Sequence, residues 1–265
     1  MGILSVCVPA RDAGRGLERT MRSILEQDTD IEVILLDNAS TDETGTIAKS
    51  FADVRLRVVR NEVPLPEGEN RNRAVSLTTR RLVTVVCPGD ILLPGAFDQQ
   101  VTVMADNGIA VCCAKFQLLD EQGQVLATEV GLPNLLGQRD IRTLMRTIVR
   151  RGPAEFGPTA ATVFRRADFD RVGGYRGDPA FPMHVDLIAR MSAFGSFYGQ
   201  PETLAAWHDP GAAPLAQLWR FQHRLRAEYP ELVGRAPVLT GDLRLAVAAA
   251  DRLRARIRSA RAARR

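Results

Sequence analysis

In the first 113 residues, short apolar runs alternate with stretches of helical periodicity. The run 4–8 (LSVCV) is stopped by Pro9, and Leu17, Met21, Ile24 and Leu25 then fall on one helical face. A second run, 31–36, stops at Asp37-Asn38. Ser40-Thr41-Asp42-Glu43 offers a helix start with acids near its positive end, and that helix runs to about Phe51. Strands over 56–59, 82–86 and 109–113 and helices over 69–79 and 96–106 continue the alternation. This order predicts an α/β protein whose mainly parallel, Rossmann-like sheet is flanked by helices. Ligands of such sheets bind outside the carboxyl ends of the strands, which selects three loops: 9–12, 37–40 and 87–90.

Beyond residue 114 the alternation becomes irregular. The pattern predicts a loop over 131–137, a basic helix over 141–151 and a small-residue strand region over 156–164. A short helix over 168–175 ends in glycines, and another follows over 185–194. After Pro210 the composition shifts to helix formers, predicting a C-terminal extension of helices over 215–227 and 241–258.

Composition narrows the class. A chain of 265 residues with 45% apolar and 25% charged residues can bury a large core. No run approaches the roughly 20 apolar residues that span a bilayer, and residues 1–6 carry no charged leader, so a cytoplasmic protein is expected. Cys7, Cys87, Cys112 and Cys113 lack metal-ligand spacing and read as reduced thiols. The net charge of +4 does not suggest a nucleic-acid partner, but residues 251–265 hold seven arginines and one acid. That end reads either as a solvated tail or as a contact with an acidic partner or, peripherally, with the inner membrane surface.

The motifs add chemistry. Residues 5–12 (SVCVPARD), 23–27 (SILEQ) and 32–42 (EVILLDNASTD) resemble the opening of family 2 glycosyltransferases, which have the GT-A fold. Arg71-Asn72, the segment VCPGDILLPG at 86–95, Val172-Gly173-Gly174-Tyr175 and the D-x-x-x-R string Asp186 to Arg190 match later motifs of that family. The resemblance covers roughly residues 3–210. It implies a nucleotide-sugar-binding half over 1–113 and an acceptor-binding half over 114–210, with the basic-tailed helices of 211–265 beyond. It also implies an inverting transferase acting on a nucleotide diphosphate sugar and an acceptor that could be a glycan, a lipid or a small molecule. Pro9, Ala10, Arg11, Asp12, Asp37, Asn38, Arg71 and Asp90 would hold the nucleotide, and the acceptor would sit under residues 156–159.

Two departures from the family pattern stand out. Cys87 and Gly89 occupy the D-x-D pair that normally serves Mg²⁺ or Mn²⁺; Asp90 and His208 are what remains for a metal. Glycine offers no ligand and a thiol is too soft for a hard ion. Cationic side chains would then have to stabilise the leaving diphosphate, with Arg71, Arg73, Arg142, Arg146, Arg150 and Arg151 as candidates. Second, Met183-His184 stands where the family has an acid pair. His184 or Asp186 would therefore be the catalytic base. The competing readings are a catalytically silent relative that binds nucleotide sugar or a protein partner, and an interaction module on the same scaffold.

Overall fold

The computed structural model describes residues 2–152, 155–177, 182–208, 215–234 and 241–245. The first half comprises β1 (Leu4–Ala10), α1 (Gly14–Leu25), β2 (Ile31–Asp37), α2 (Thr44–Ser50), β3 (Leu56–Arg60), α3 (Glu67–Ser76) and β4 (Leu82–Val85). Next come β5 (Ile91–Leu92), α4 (Ala96–Val103), β6 (Ile109–Leu119), β7 (Val125–Val130), β8 (Gly137–Arg139) and α5 (Ile141–Arg151). A 3-10 turn at Thr159–Ala161 leads into β9 (Thr162–Arg165), α6 (Arg166–Arg171), α7 (Met183–Met191) and β10 (Ser196–His208). The helices α8 (Leu215–Glu228) and α9 (Pro230–Val233) follow. Most of the helix expected over 241–258, and the arginine-rich end, lie outside the described residues.

One sheet runs β3-β2-β1-β4-β9-β6-β10-β5, with β7 on β6 and β8 on β10. Its first four strands are parallel, as the alternation requires. Antiparallel β9, wedged between β4 and β6, makes the second half mixed. Side chains alternate across the strands because successive Cβ atoms point to opposite faces. Leu4, Val6, Val8 and Ala10 enter one core with Leu17, Met21 and Ile24 of α1 and Phe97 of α4. Cys7, Val83 and Val85 enter the other, against α3, α5, α7 and α8. Both faces are covered, so the near-continuous apolar strands are satisfied.

The chain runs outward from β1 to β2 and β3, then returns past β1 to β4. This reversal opens a crevice at the carboxyl ends of β1 and β4, where ligands of open α/β sheets bind. A further pairing brings in the far end of the chain. Ile91 of β5 lies opposite Ala206 of β10, which sets the 87–90 loop beside His208.

Candidate functional site

Two loops are laced together at the crevice. Asp12 receives the Thr41 N–H at 2.8 Å while its own N–H reaches the Ser40 hydroxyl at 3.0 Å. The Ala13 N–H donates to the Thr44 hydroxyl at 2.7 Å, and the Gly14 N–H to Asp42 at 3.0 Å. Asp12 and Ala39 hold positive φ angles of 45° and 55°, which sharpens both turns. Much of the string DNASTD therefore shapes the loops.

Above these turns lies a cavity of about 430 Å³ lined by Pro9, Arg11, Asp12, Asn38, Arg71 and Cys87, with Leu65, Glu67 and Asn70. Five of the eight residues expected to hold a nucleotide meet here. Ala10 is fully buried in the strand and does not line the cavity. Asp37 does not either: it is 2% exposed, pairs with Arg60, and accepts the Ser40 N–H at 2.9 Å. Its carboxylate thus anchors the loop. Asn38 forms part of the wall. Its amide accepts from Asn61 (2.6 Å) and the Leu65 N–H (2.8 Å) and donates to the Leu65 carbonyl (2.9 Å).

Arg71 is the less exposed of the two arginines that line this cavity. Its side chain is 12% exposed, its Nη2 lies 2.5 Å from Glu67 and 3.5 Å from the Cys87 sulfur, and its guanidinium sits 5.5 Å over the Tyr175 ring. The neighbouring Asn72 clamps Tyr175, accepting its N–H at 2.7 Å and donating to its carbonyl at 2.9 Å. The Arg71-Asn72 pair thereby docks the Gly173-Gly174 turn against α3.

The 87–90 loop is pinned to α1 by Thr20, whose hydroxyl accepts the Gly89 N–H (2.9 Å) and donates to the Asp90 carbonyl (2.8 Å). The Asp90 carboxylate turns inward. It accepts the Cys87 N–H at 3.3 Å, the Ala160 N–H and the Thr159 hydroxyl. Burial pushes it up to about 7, against the pull of those hydrogen bonds and of Arg71. Asp90 lines neither this cavity nor the next.

A second cavity, about 610 Å³, lies beyond Gly89 and contains His208. The His208 Nδ1 lies 2.8 Å from the Asp120 carbonyl, which leaves Nε2 for a ligand. One imidazole with Gly89 at the ligand position does not make a site for Mg²⁺ or Mn²⁺. Among the described residues no group of three or more His, Cys, Asp or Glu could hold a metal.

The two candidate bases are placed differently. Asp186 is 1% exposed and bound by Arg190 at 2.8 Å, with Arg176 at 3.7 Å. Arg190 in turn donates to the Val172 and Gly174 carbonyls at 2.8 and 2.7 Å. The D-x-x-x-R string therefore fastens α7 to the glycine turn through one carboxylate oxygen, while the other, Oδ1, is buried without a hydrogen-bond partner. The His184 ring hydrogen-bonds the Gly157 backbone, while its Nε2 is buried without a partner. Burial and then Arg71 lower it to about 4, so the ring is neutral at pH 7. It borders a closed space of about 10 Å³ with Thr159 and Tyr175, room for about one water. Residues 156–159 are buried.

Of the expected cationic substitutes, Arg142 and Arg146 donate to the Glu231 and Leu232 carbonyls of α9. Neither these nor Arg73, Arg150 and Arg151 line either cavity. Sequence reasoning missed Arg15 and Arg19, which do line the larger one. Their spacing of one helical turn after the first loop was the available signal.

No described helix is long and apolar enough to cross a membrane. The chain is 28% identical over 196 residues to the uncharacterized protein MT1568 of Mycobacterium tuberculosis, covering 71% of this chain and 61% of that one. It is 27% identical over 201 residues to the succinoglycan biosynthesis protein ExoU of Rhizobium meliloti, covering 73% and 58%. It therefore spans about three fifths of those relatives. Its fold matches the crystal structure of S. aureus TarS 1–349 in complex with UDP-GlcNAc, with a TM-score of 0.66 at 14% identity over 90% of this chain and 69% of that one. Residues 5–173 match the model of glycosyl transferase family 2, a span that takes in every loop of the smaller cavity. The chain belongs to glycosyl transferase family 2.

Proposed function

We propose that the protein transfers a sugar from a nucleoside diphosphate donor to an acceptor hydroxyl with inversion, without a divalent ion. The observation that carries this reading is the 430 Å³ cavity at the ends of β1 and β4, with Arg71 partly buried in its wall. TarS, which shares the fold, binds UDP-GlcNAc, so a uridine nucleotide is the first donor to test. The Pro9–Asp12 turn and Asn38 would enclose the nucleoside, and Arg71 would face its phosphates. In the transfer the acceptor oxygen bonds to the anomeric carbon as the bond to the diphosphate oxygen breaks. The electron pair stays on the diphosphate, and the acceptor proton passes to a base. His184, neutral and with an unpartnered Nε2, is the base in this reading, and its cavity must open for the acceptor. Four free cysteines are consistent with a reducing, cytoplasmic setting.

The closed space beside His184 favours a second reading, nucleotide-sugar binding without turnover. Release of UDP from UDP-GlcNAc in EDTA separates the two. Turnover abolished in His184→Ala supports transfer, whereas tight UDP binding with no turnover under any acceptor supports the second reading.

A further inference from the structure

The two cavities meet at one tripeptide: Cys87 and Pro88 line the smaller, Gly89 the larger. Gly89 has a φ of 102°, which L side chains rarely adopt, and a Cβ built on it would meet nothing within 4 Å. The backbone there is bare and faces open space. Across the larger cavity stand Arg15 and Arg19, one turn apart on α1, held close because the intervening Gly16 touches the Gly89 backbone. Arg11, Arg22, Arg55, Arg60 and Arg71 on the surrounding elements each face a carboxylate. Arg15 and Arg19 form no ion pair among the described residues. Two acids share the lining. Asp120 caps its own hairpin turn by accepting the Gln122 and Gln124 N–H groups at 2.9 and 2.8 Å, while Glu121 stays at the rim.

Resting on the donor reading above, we propose that the glycosyl-diphosphate end of the donor crosses the bare backbone at Gly89 and is held in the larger cavity by Arg15 and Arg19. Their two positive charges stand in for the divalent cation that this loop cannot ligate. The His208 Nε2, oriented by the Asp120 carbonyl, offers a further polar contact. Glu121 and Gln122 supply the acceptor and donor groups that sugar hydroxyls need. The mixed lining suits a ligand that is anionic at one end and hydroxyl-rich at the other.

The test is calorimetry in EDTA with uridine, UMP and UDP on the full chain and on R15A/R19A, with melting temperature as the folding control. The double variant should bind UDP at least about tenfold more weakly, since one charged hydrogen bond exceeds the 1.4 kcal/mol of a tenfold change. Uridine affinity should be unchanged, and R15K/R19K should recover part of the loss. Equal UDP affinity in the double variant overturns the assignment while leaving the nucleotide site intact. Inorganic pyrophosphate binding additively to UDP-saturated protein also overturns it, since the anion would then belong to a second ligand. Failure of the unaltered protein to bind any of the three overturns the donor reading itself.

Discussion

Gly16 and Gly89 touch across the start of α1: a Cβ on Gly16 would lie 3.0 Å from the Gly89 amide nitrogen and 3.2 Å from its Cα. Both obstructing atoms are backbone, so the loop could not evade a side chain by a rotamer change. The contact sets the height of the 87–90 loop over the crevice, and Thr20 secures it from the same helix.

Gly16→Val should therefore displace the loop, costing about 1–3 kcal/mol of stability and weakening UDP binding. Urea denaturation and calorimetry read the two effects. Gly14→Ala is the control, because its Cβ would meet only the flexible Glu43 side chain.

Asn72→Ala should cost about 1–3 kcal/mol, since both backbone groups of Tyr175 lose their partner. The glycine turn would loosen and Arg71 would lose its aromatic support. Denaturant unfolding measures the first effect, and weaker binding of UDP the second.

Asp186→Ala should destabilise by about 3–5 kcal/mol, because it leaves the nearly buried Arg190 unpaired. If Asp186 only fastens α7, the loss appears in unfolding, and the pH profile of turnover in the folded fraction keeps its shape. A profile that loses its acidic limb, where protonation silences a base, would instead mark Asp186 as the base.

Asp90 and His184 push the pH dependence of stability in opposite directions. The folded Asp90 carboxyl titrates near 7, above its unfolded value of about 3.9. The folded state therefore binds the extra proton, and this contribution weakens as pH rises from about 4 to 7. His184 titrates near 4, below its unfolded value of about 6.5, so its contribution is lost as pH falls through that window. Asp90→Asn should remove the first effect, leaving a protein whose stability relative to the native chain improves between pH 5 and pH 8, by about 1–3 kcal/mol. Chemical denaturation of both proteins across that range measures it.

The first half of the chain was legible because β1, β2 and β4 are near-continuous apolar runs and β2 runs into the polar break at Asp37-Asn38; Pro9, expected to stop β1, lies inside it, since β1 continues to Ala10. β10 was not. Its sequence SFYGQPETLAAWH has no alternation, and its register shifts near Gln200 and Thr203. Pairing with β6, β8 and β5 holds it extended, and such partners are invisible in a local pattern. Likewise β6 runs to Leu119, past the expected end at Cys113, because β7 and β10 pair with its second half, where Lys115 and Gln117 interrupt the apolar run. At the site, the motifs named the right loops but not which way side chains turn. Asp37 and Asp90 face inward because Arg60 and the Cys87 and Ala160 N–H groups claim them. Arg15 and Arg19 belong to no motif, and only the contact between Gly16 and Gly89 places them beside the 87–90 loop.

The most direct measurement is the affinity for UDP by calorimetry, in EDTA and again in excess Mn²⁺. The account predicts measurable binding with the same Kd, within about twofold, in both buffers. Binding that appears only with Mn²⁺, or strengthens tenfold or more on its addition, would contradict it.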